Sequence, residues 1–181
     1  MDGAAFHELV ARRQSDRDYD AGRAVEKEKI GRILEAGRLA PSACNSQPWH
    51  FVVVDDPAIR GDVAKAMMSL GMNQFAASAP CFILIVQESP NFSARLGGWI
   101  KNKHFPLIDC GIAASYLTLA ATAEGLGSCI MGWFDEKALK RLLGIPSRKR
   151  VLLAVALGYS KQPLRDKQRR PVEEVASYNE Y

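Results

Sequence analysis

Apolar positions recur at helical or strand spacing along most of the chain, and prolines, glycines and short polar residues mark the breaks. Phe6, Leu9 and Val10 suggest a short N-terminal helix. Val25, Ile30, Ile33, Leu34 and Leu39 fall near a helical period that Pro41 stops, so Glu26 to Leu39 is predicted as an amphipathic helix. The stretch Pro41 to Pro48 is rich in Ser, Asn and Pro and reads as a loop, feeding the apolar, β-branched strand His50 to Val54. Asp56 and Pro57 supply an N-cap and a first-turn proline for a helix to about Leu70, ending near Gly71. Cys81 to Gln87 reads as a buried strand.

In the second half, Ser89 to Phe105 has no strong period and contains Pro90, Gly97, Gly98, Trp99 and Phe105, which suggests a surface lid. Ile108 to Ala123 is apolar but interrupted by Asp109, Ser115, Tyr116, Thr118 and Thr122, and it is shorter than the roughly 20 residues that span a bilayer. It reads as a buried helix. Gly125 and Gly127 end it, Ser128 to Gly132 is a short strand, Asp135 caps a helix to Leu143, and Arg150 to Leu157 is the last core strand. Residues 159–181 are polar and basic apart from Val172, Val175 and Tyr178, the composition of an extended arm that needs a surface to lie against. Strands and helices mix without strict βαβ alternation, so α+β is the expected class and doubly wound α/β the alternative. With 181 residues and neither a linker nor a repeat, residues 1–181 read as one domain.

The 48% hydrophobic and 24% charged residues exclude a disordered or coiled-coil chain. The net charge of +4 is too small to argue for nucleic acid, but Lys161 to Arg170 alone carries five bases and one acid. Cys44, Cys81, Cys110 and Cys129 lie 37, 29 and 19 residues apart, which excludes the usual zinc and iron–sulfur spacings. They read as reduced thiols, each a small buried hydrophobe. Met1 to Arg13 lacks the apolar core of a secretory signal, so a cytoplasmic protein without a membrane anchor is expected. His7, His50 and His104 are too scattered for a metal pair, and no metal is expected.

Gly125 to Ile130 begins like a dinucleotide fingerprint, but it lacks the third glycine and ends a helix instead of opening one. No P-loop or nucleophile elbow is present, and a Cys110–His104 nucleophile pair rests on residue type alone. Two segments carry more information. Arg12-Arg13-Gln14-Ser15-Asp16-Arg17 offers three guanidiniums and a hydroxyl, enough for forked bonds to a phosphate, although a solvated charge cluster softened by Asp16, Asp18 and Asp20 has the same composition. Ala40 to Trp49 sets a fixed polar loop between a helix and a strand, able to offer amides to a flat polar ligand or simply to turn the chain.

These residues resemble the FMN-dependent nitroreductases over nearly the whole chain. The signposts are Arg13-Gln14-Ser15-Asp16-Arg17, the loop A-P-S-x-x-N-S-Q-P-W from Ala40 to Trp49, Asn73 ahead of Ala79-Pro80, the Gly125 to Phe134 turn and strand, and the C-terminal basic stretch. The resemblance implies a central, mostly antiparallel sheet flanked by helices, in an intertwined homodimer that exchanges its C-terminal arms. It implies that Arg13, Ser15, Lys167 and Arg169 hold the FMN phosphate, with Gln14 where many relatives carry a base, and that Arg17 lies near the N1 and O2 edge of the flavin. Pro41, Ser42 and Asn45 are expected to reach the flavin from the partner subunit, Gln47 to join the cofactor site, Asn73 to bond the ribityl or pyrimidine region, and Ile130, Met131 and Gly132 to face the N5 and O4 side. Gly132 stands where a relative has glutamate.

The implied reaction is ping-pong: NAD(P)H reduces FMN at N5 and leaves, and an electron-poor acceptor such as a nitroaromatic or quinone enters the same site. No side chain acts as a nucleophile in this reading. Trp99 and Phe105 are candidate substrate-stacking surfaces. Alternatives are a flavin sensor without turnover, a specialised flavin reaction such as reductive dehalogenation, and a nucleic-acid binder using Arg148 to Arg170.

Overall fold

Four strands pair in the order β1-β2-β4-β3, where β1 is Trp49–Val54, β2 Cys81–Gln87, β3 Gly127–Met131 and β4 Arg150–Gly158. The computed structural model describes residues 2–181. Each of the three pairings is antiparallel, as expected for this sheet. Because β2 and β4 are central, both their faces are covered, and β2 is buried from Cys81 to Val86. Its side chains alternate: Cys81, Ile83 and Ile85 face one apolar layer, while Phe82, Leu84 and Val86 face the other. A bulge between Ile85 and Val86, where their partners step from Leu153 to Val151, leaves Leu152 as the extra residue of β4. It puts Val151 on the same face as Ala154 and Ala156 despite the odd spacing.

The first layer takes Ile30 and Ile33 of α2 (Lys27–Arg38) and Cys110, Ala113, Ala114 and Leu117 of α5 (Phe105–Ala123). Gly37 allows the two helices to touch, since a Cβ there would meet Leu117 Cδ2 at 2.6 Å. The second layer takes Val63 and Met67 of α3 (Pro57–Met67) and Leu139 of α6 (Glu136–Leu143). The helix α1 (Gly3–Arg12) buries no residue. The apolar helix α5 is long and apolar enough to cross a membrane, yet its Asp109-to-Ala121 stripe is the core of this sandwich.

Three expectations change. Ser89 to Phe105 is largely helical, as α4 (Phe92–Lys101), capped by Asn91 Oδ1, which accepts from Ala94 N at 2.9 Å. Its period is invisible because Phe92, Leu96, Trp99 and Ile100 leave apolar residues exposed around it and Gly97 and Gly98 add no pattern. The helix after Asp56 stops at Met67, and Leu70 takes a left-handed φ of 53° in the turn that follows. Cys44 is exposed, unlike the other three cysteines, because it sits on the turn of the polar loop. Beyond β4, only a single turn at Val172–Glu174 is regular, and Val172, Val175 and Tyr178 are exposed.

Candidate functional site

The segment after α1 runs extended beside β3, with Ser15 bridged in parallel to Ser128 and Asp16 N donating to Ser128 O at 2.9 Å. Extended backbone sends alternate side chains to opposite sides, so Arg13, Ser15 and Arg17 can share one side while Asp16 points inward. Asp16 is buried, and its carboxylate accepts from Ser160 Oγ at 2.7 Å, Gln14 Nε2 at 2.9 Å and Ser128 N at 3.3 Å. Three residues along, the fully buried Tyr19 donates from its hydroxyl to Asp16 O at 2.7 Å. Burial pushes that phenol well above its ordinary range, followed in effect by Cys129 and Asp16.

The start of the arm is stitched to the same segment. Lys161 N donates to Asp18 O at 3.0 Å, and Arg17 N donates to Gln162 Oε1 at 2.6 Å. Gln14 is the central tie: its amide donates to Pro163 O at 3.0 Å and its oxygen accepts from Arg165 N at 3.1 Å. Arg165 closes the fold-back by donating Nη2 to Ser15 O at 2.5 Å.

Between the two segments lies a cleft of about 550 Å³ lined by Arg13, Gln14, Ser15, Arg17, Arg165, Asp166, Lys167, Gln168 and Arg169. Five cations face a single carboxylate. The Lys167 ammonium is buried and has no hydrogen-bond partner. Burial holds it below the ordinary lysine range, and Arg13, Arg169 and Arg165 push it further down. A buried, unpaired ammonium beside three guanidiniums is a costly arrangement unless an anion completes it. The Ser15 hydroxyl and the guanidinium forks suit a compact dianion such as a phosphate.

The polar loop forms a separate group. Cys44, Asn45 and Gln47 all adopt left-handed φ between 47° and 52°. Ser42 Oγ accepts from Gln47 N at 2.9 Å, and Gln47 Nε2 donates to Asn45 Oδ1 at 3.1 Å, so the loop is braced by its own side chains; Pro41 is exposed. Beneath it, the buried Asp109 accepts from Ala43 N at 3.2 Å through Oδ1, while Oδ2 has no partner. Burial raises the Asp109 carboxyl, and the bond from Ala43 partly offsets this. Asn91, the cap of α4, ties that helix to the loop: its N donates to Ser46 Oγ and its Nδ2 to Cys44 O, both at 2.9 Å.

Asn73, at φ 53°, donates Nδ2 to Trp133 O at 2.7 Å and so fixes the turn after β3. Ile130 is 40% exposed on that strand, Met131 is buried, and Gly132 follows it. Trp99 is 82% exposed at a cavity of about 560 Å³. Phe105 does not line that cavity and is half-buried behind Gly98, where a Cβ would meet its Cδ2 at 3.4 Å.

The chain therefore unites Arg13, Gln14, Ser15, Arg17, Lys167 and Arg169 in one cleft. Pro41, Ser42, Asn45 and Gln47 lie apart from it, on a loop that packs against α4 and α5. Sequence reasoning missed Arg165, although it belongs to the basic run, and it read Asp16 only as a charge that softens its neighbours. It also gave no role to Asp109, whose burial no local pattern reveals.

Comparison with known proteins gives a match to the nitroreductase family model over residues 10–73 and 68–159. A protein of Archaeoglobus fulgidus, provisionally named NADH dehydrogenase/NAD(P)H nitroreductase, is 34% identical over 84% of each chain. Among solved structures, an FMN-dependent nitroreductase of Clostridium difficile is 28% identical, with TM-score 0.75 over 96% of this chain and 98% of that one. A nitroreductase family protein of Streptococcus pneumoniae is 25% identical, with TM-score 0.81 over 96% and 100%.

Proposed function

The chain belongs to the nitroreductase family and is an NAD(P)H-dependent flavin oxidoreductase with FMN as cofactor; from that premise we propose a ping-pong enzyme that passes reducing equivalents from NAD(P)H to an electron-poor acceptor such as a nitroaromatic or quinone. The observation that carries this reading is the buried Lys167 ammonium, unpartnered inside a cleft of guanidiniums. The FMN phosphate is the anion that completes it. When bound, FMN supplies reversible two-electron transfer at N5, so the chain needs no nucleophile of its own.

The residues divide the remaining work. Arg13, Ser15, Lys167 and Arg169 bind the phosphate, and Arg165 and Gln14 hold the two walls together by the bonds described. Arg17 supplies positive charge to the flavin ring and favours negative charge developing at its N1 and O2 edge. Asn73 braces the turn that presents Ile130, Met131 and Gly132 to the ring. A second protomer brings Pro41, Ser42, Asn45 and Gln47, because one chain keeps that loop apart from the cleft. The exposed apolar side chains Phe6 and Val10 of α1, with Leu107, Ile108 and Tyr116 of α5, support a homodimer. The exposed Val172, Val175 and Tyr178 support exchange of the arms.

The test is an anaerobic absorbance titration with FMN, then NADH, then NADPH, then a nitroaromatic or quinone. A bound-flavin spectrum that bleaches with a nicotinamide and returns with the acceptor is expected. Binding without bleaching would overturn turnover in favour of a flavin sensor.

A further inference from the structure

The cavity beside α4 is built differently from the phosphate cleft. Its apolar surfaces come from Trp99, Leu107 and Leu152, and no carboxylate lines it. Three cations stand around it. Arg150 is already engaged, donating Nε to Glu136 at 3.0 Å and 3.1 Å. Arg95 and Lys103 make no ion pair and no side-chain hydrogen bond among the described residues, and both are exposed.

The position of Lys103 is fixed by the end of α4. Asn102 turns left-handed at φ 50°, its N–H donates to Trp99 O at 3.4 Å, and Lys103 N donates to Gly98 O at 2.9 Å. This is a two-bond helix stop of the Schellman type. It requires Gly98, where a Cβ would meet Lys103 O at 2.7 Å. The stop places Lys103 on the same rim as Arg95 and Trp99. At its other end, α4 is pinned through Asn91 to the loop assigned to the flavin.

We propose that this cavity receives the electron acceptor and that Arg95 and Lys103 select acceptors carrying an anionic group, such as a carboxylate on an electron-poor aromatic ring, with Trp99 stacking on that ring. The inference rests on the oxidoreductase reading above. A guanidinium, an ammonium and an indole lining one cavity match a planar acid: the ring meets the indole while the carboxylate takes the charged donors. The same rim could serve phosphates of the nicotinamide donor, and the experiment separates the two sources.

Binding of 4-nitrobenzoate and of 4-nitrobenzamide to the purified protein in excess FMN is measured by calorimetry, for the parent chain, Arg95→Gln, Lys103→Gln and the double variant. The acid is expected to bind at least about tenfold more tightly than the amide, with the ratio falling towards one in the double variant, as for the loss of charge-assisted bonds. Trp99→Leu is expected to weaken both ligands. Equal binding of acid and amide in the parent, or a ratio that survives the double variant, would overturn the proposal. Stopped-flow half-reactions complete the test: slower reduction by NAD(P)H with unchanged discrimination between acid and amide assigns the rim to the donor and also overturns it. A protein that binds the acid selectively but is never reduced by NAD(P)H would sink the enzymatic reading while leaving the anion selectivity standing.

Discussion

Replacing Lys167 with methionine separates what the residue does for the cofactor from what it costs the fold. In the cofactor-free chain its ammonium is buried, has no partner and faces Arg13, Arg165 and Arg169, so folding lowers its affinity for the proton. A lysine depressed in this way destabilises the cofactor-free fold at neutral pH. Stability is regained as pH rises from the lowered value to the ordinary one near 10.4. Methionine keeps the apolar stem and removes the buried charge, so the cofactor-free variant should melt no lower than the parent. FMN reverses the balance, because its phosphate dianion pairs with that same ammonium. Losing one hydrogen bond to a charged group is worth about 1.5–3 kcal/mol, which is roughly ten- to hundredfold in FMN affinity. Quenching of flavin fluorescence gives the dissociation constant, and riboflavin, which lacks the phosphate, is the control. The variant should lose FMN affinity selectively, and parent affinity should itself fall as pH rises through the Lys167 titration. Equal losses for FMN and riboflavin, or none for FMN, would refute the phosphate assignment.

Asp16→Ala leaves Ser160 Oγ, Gln14 Nε2 and Ser128 N without their buried acceptor. It should cost about 2–4 kcal/mol in chemical unfolding, and a loss below about 0.5 would sink its role as the clasp. Leu117→Ala empties a fully buried position between α2 and α5 and should cost about 2–5 kcal/mol, seen as an unchanged denaturant slope and a lower midpoint. Burial pushes the Cys81 and Cys110 thiols up to about 12 and also raises Cys129, whereas Cys44 is exposed. A disulfide reagent at pH 8 should therefore label one thiol per native chain, and Cys44→Ser should abolish that labelling.

Much of the architecture was legible because burial imposes periods on sequence. The unbroken apolar run of β2 reports a strand covered on both faces, the helical period of α2 reports which side faces the core, and the caps Asp56 and Asp135 report where helices begin. α4 was not legible, since a helix whose exposed side is also apolar shows no contrast and two glycines blur it further. The phosphate cleft was half legible. Arg13, Ser15, Arg17, Lys167 and Arg169 stand out by residue type, but the role of Gln14 as a tie between the segment after α1 and the arm depends on partners about 150 positions away.

The sequence by itself determined every strand, the helices other than α4, and the residue types able to take a phosphate, because those follow from local periodicity and side-chain chemistry. Only the tertiary structure decided that Lys167 is buried without a partner, that Asp16 is a clasp and Asp109 a brace, and that Arg95, Trp99 and Lys103 share one rim. Burial and pairing are properties of what surrounds a group, and distant parts of the chain supply those surroundings.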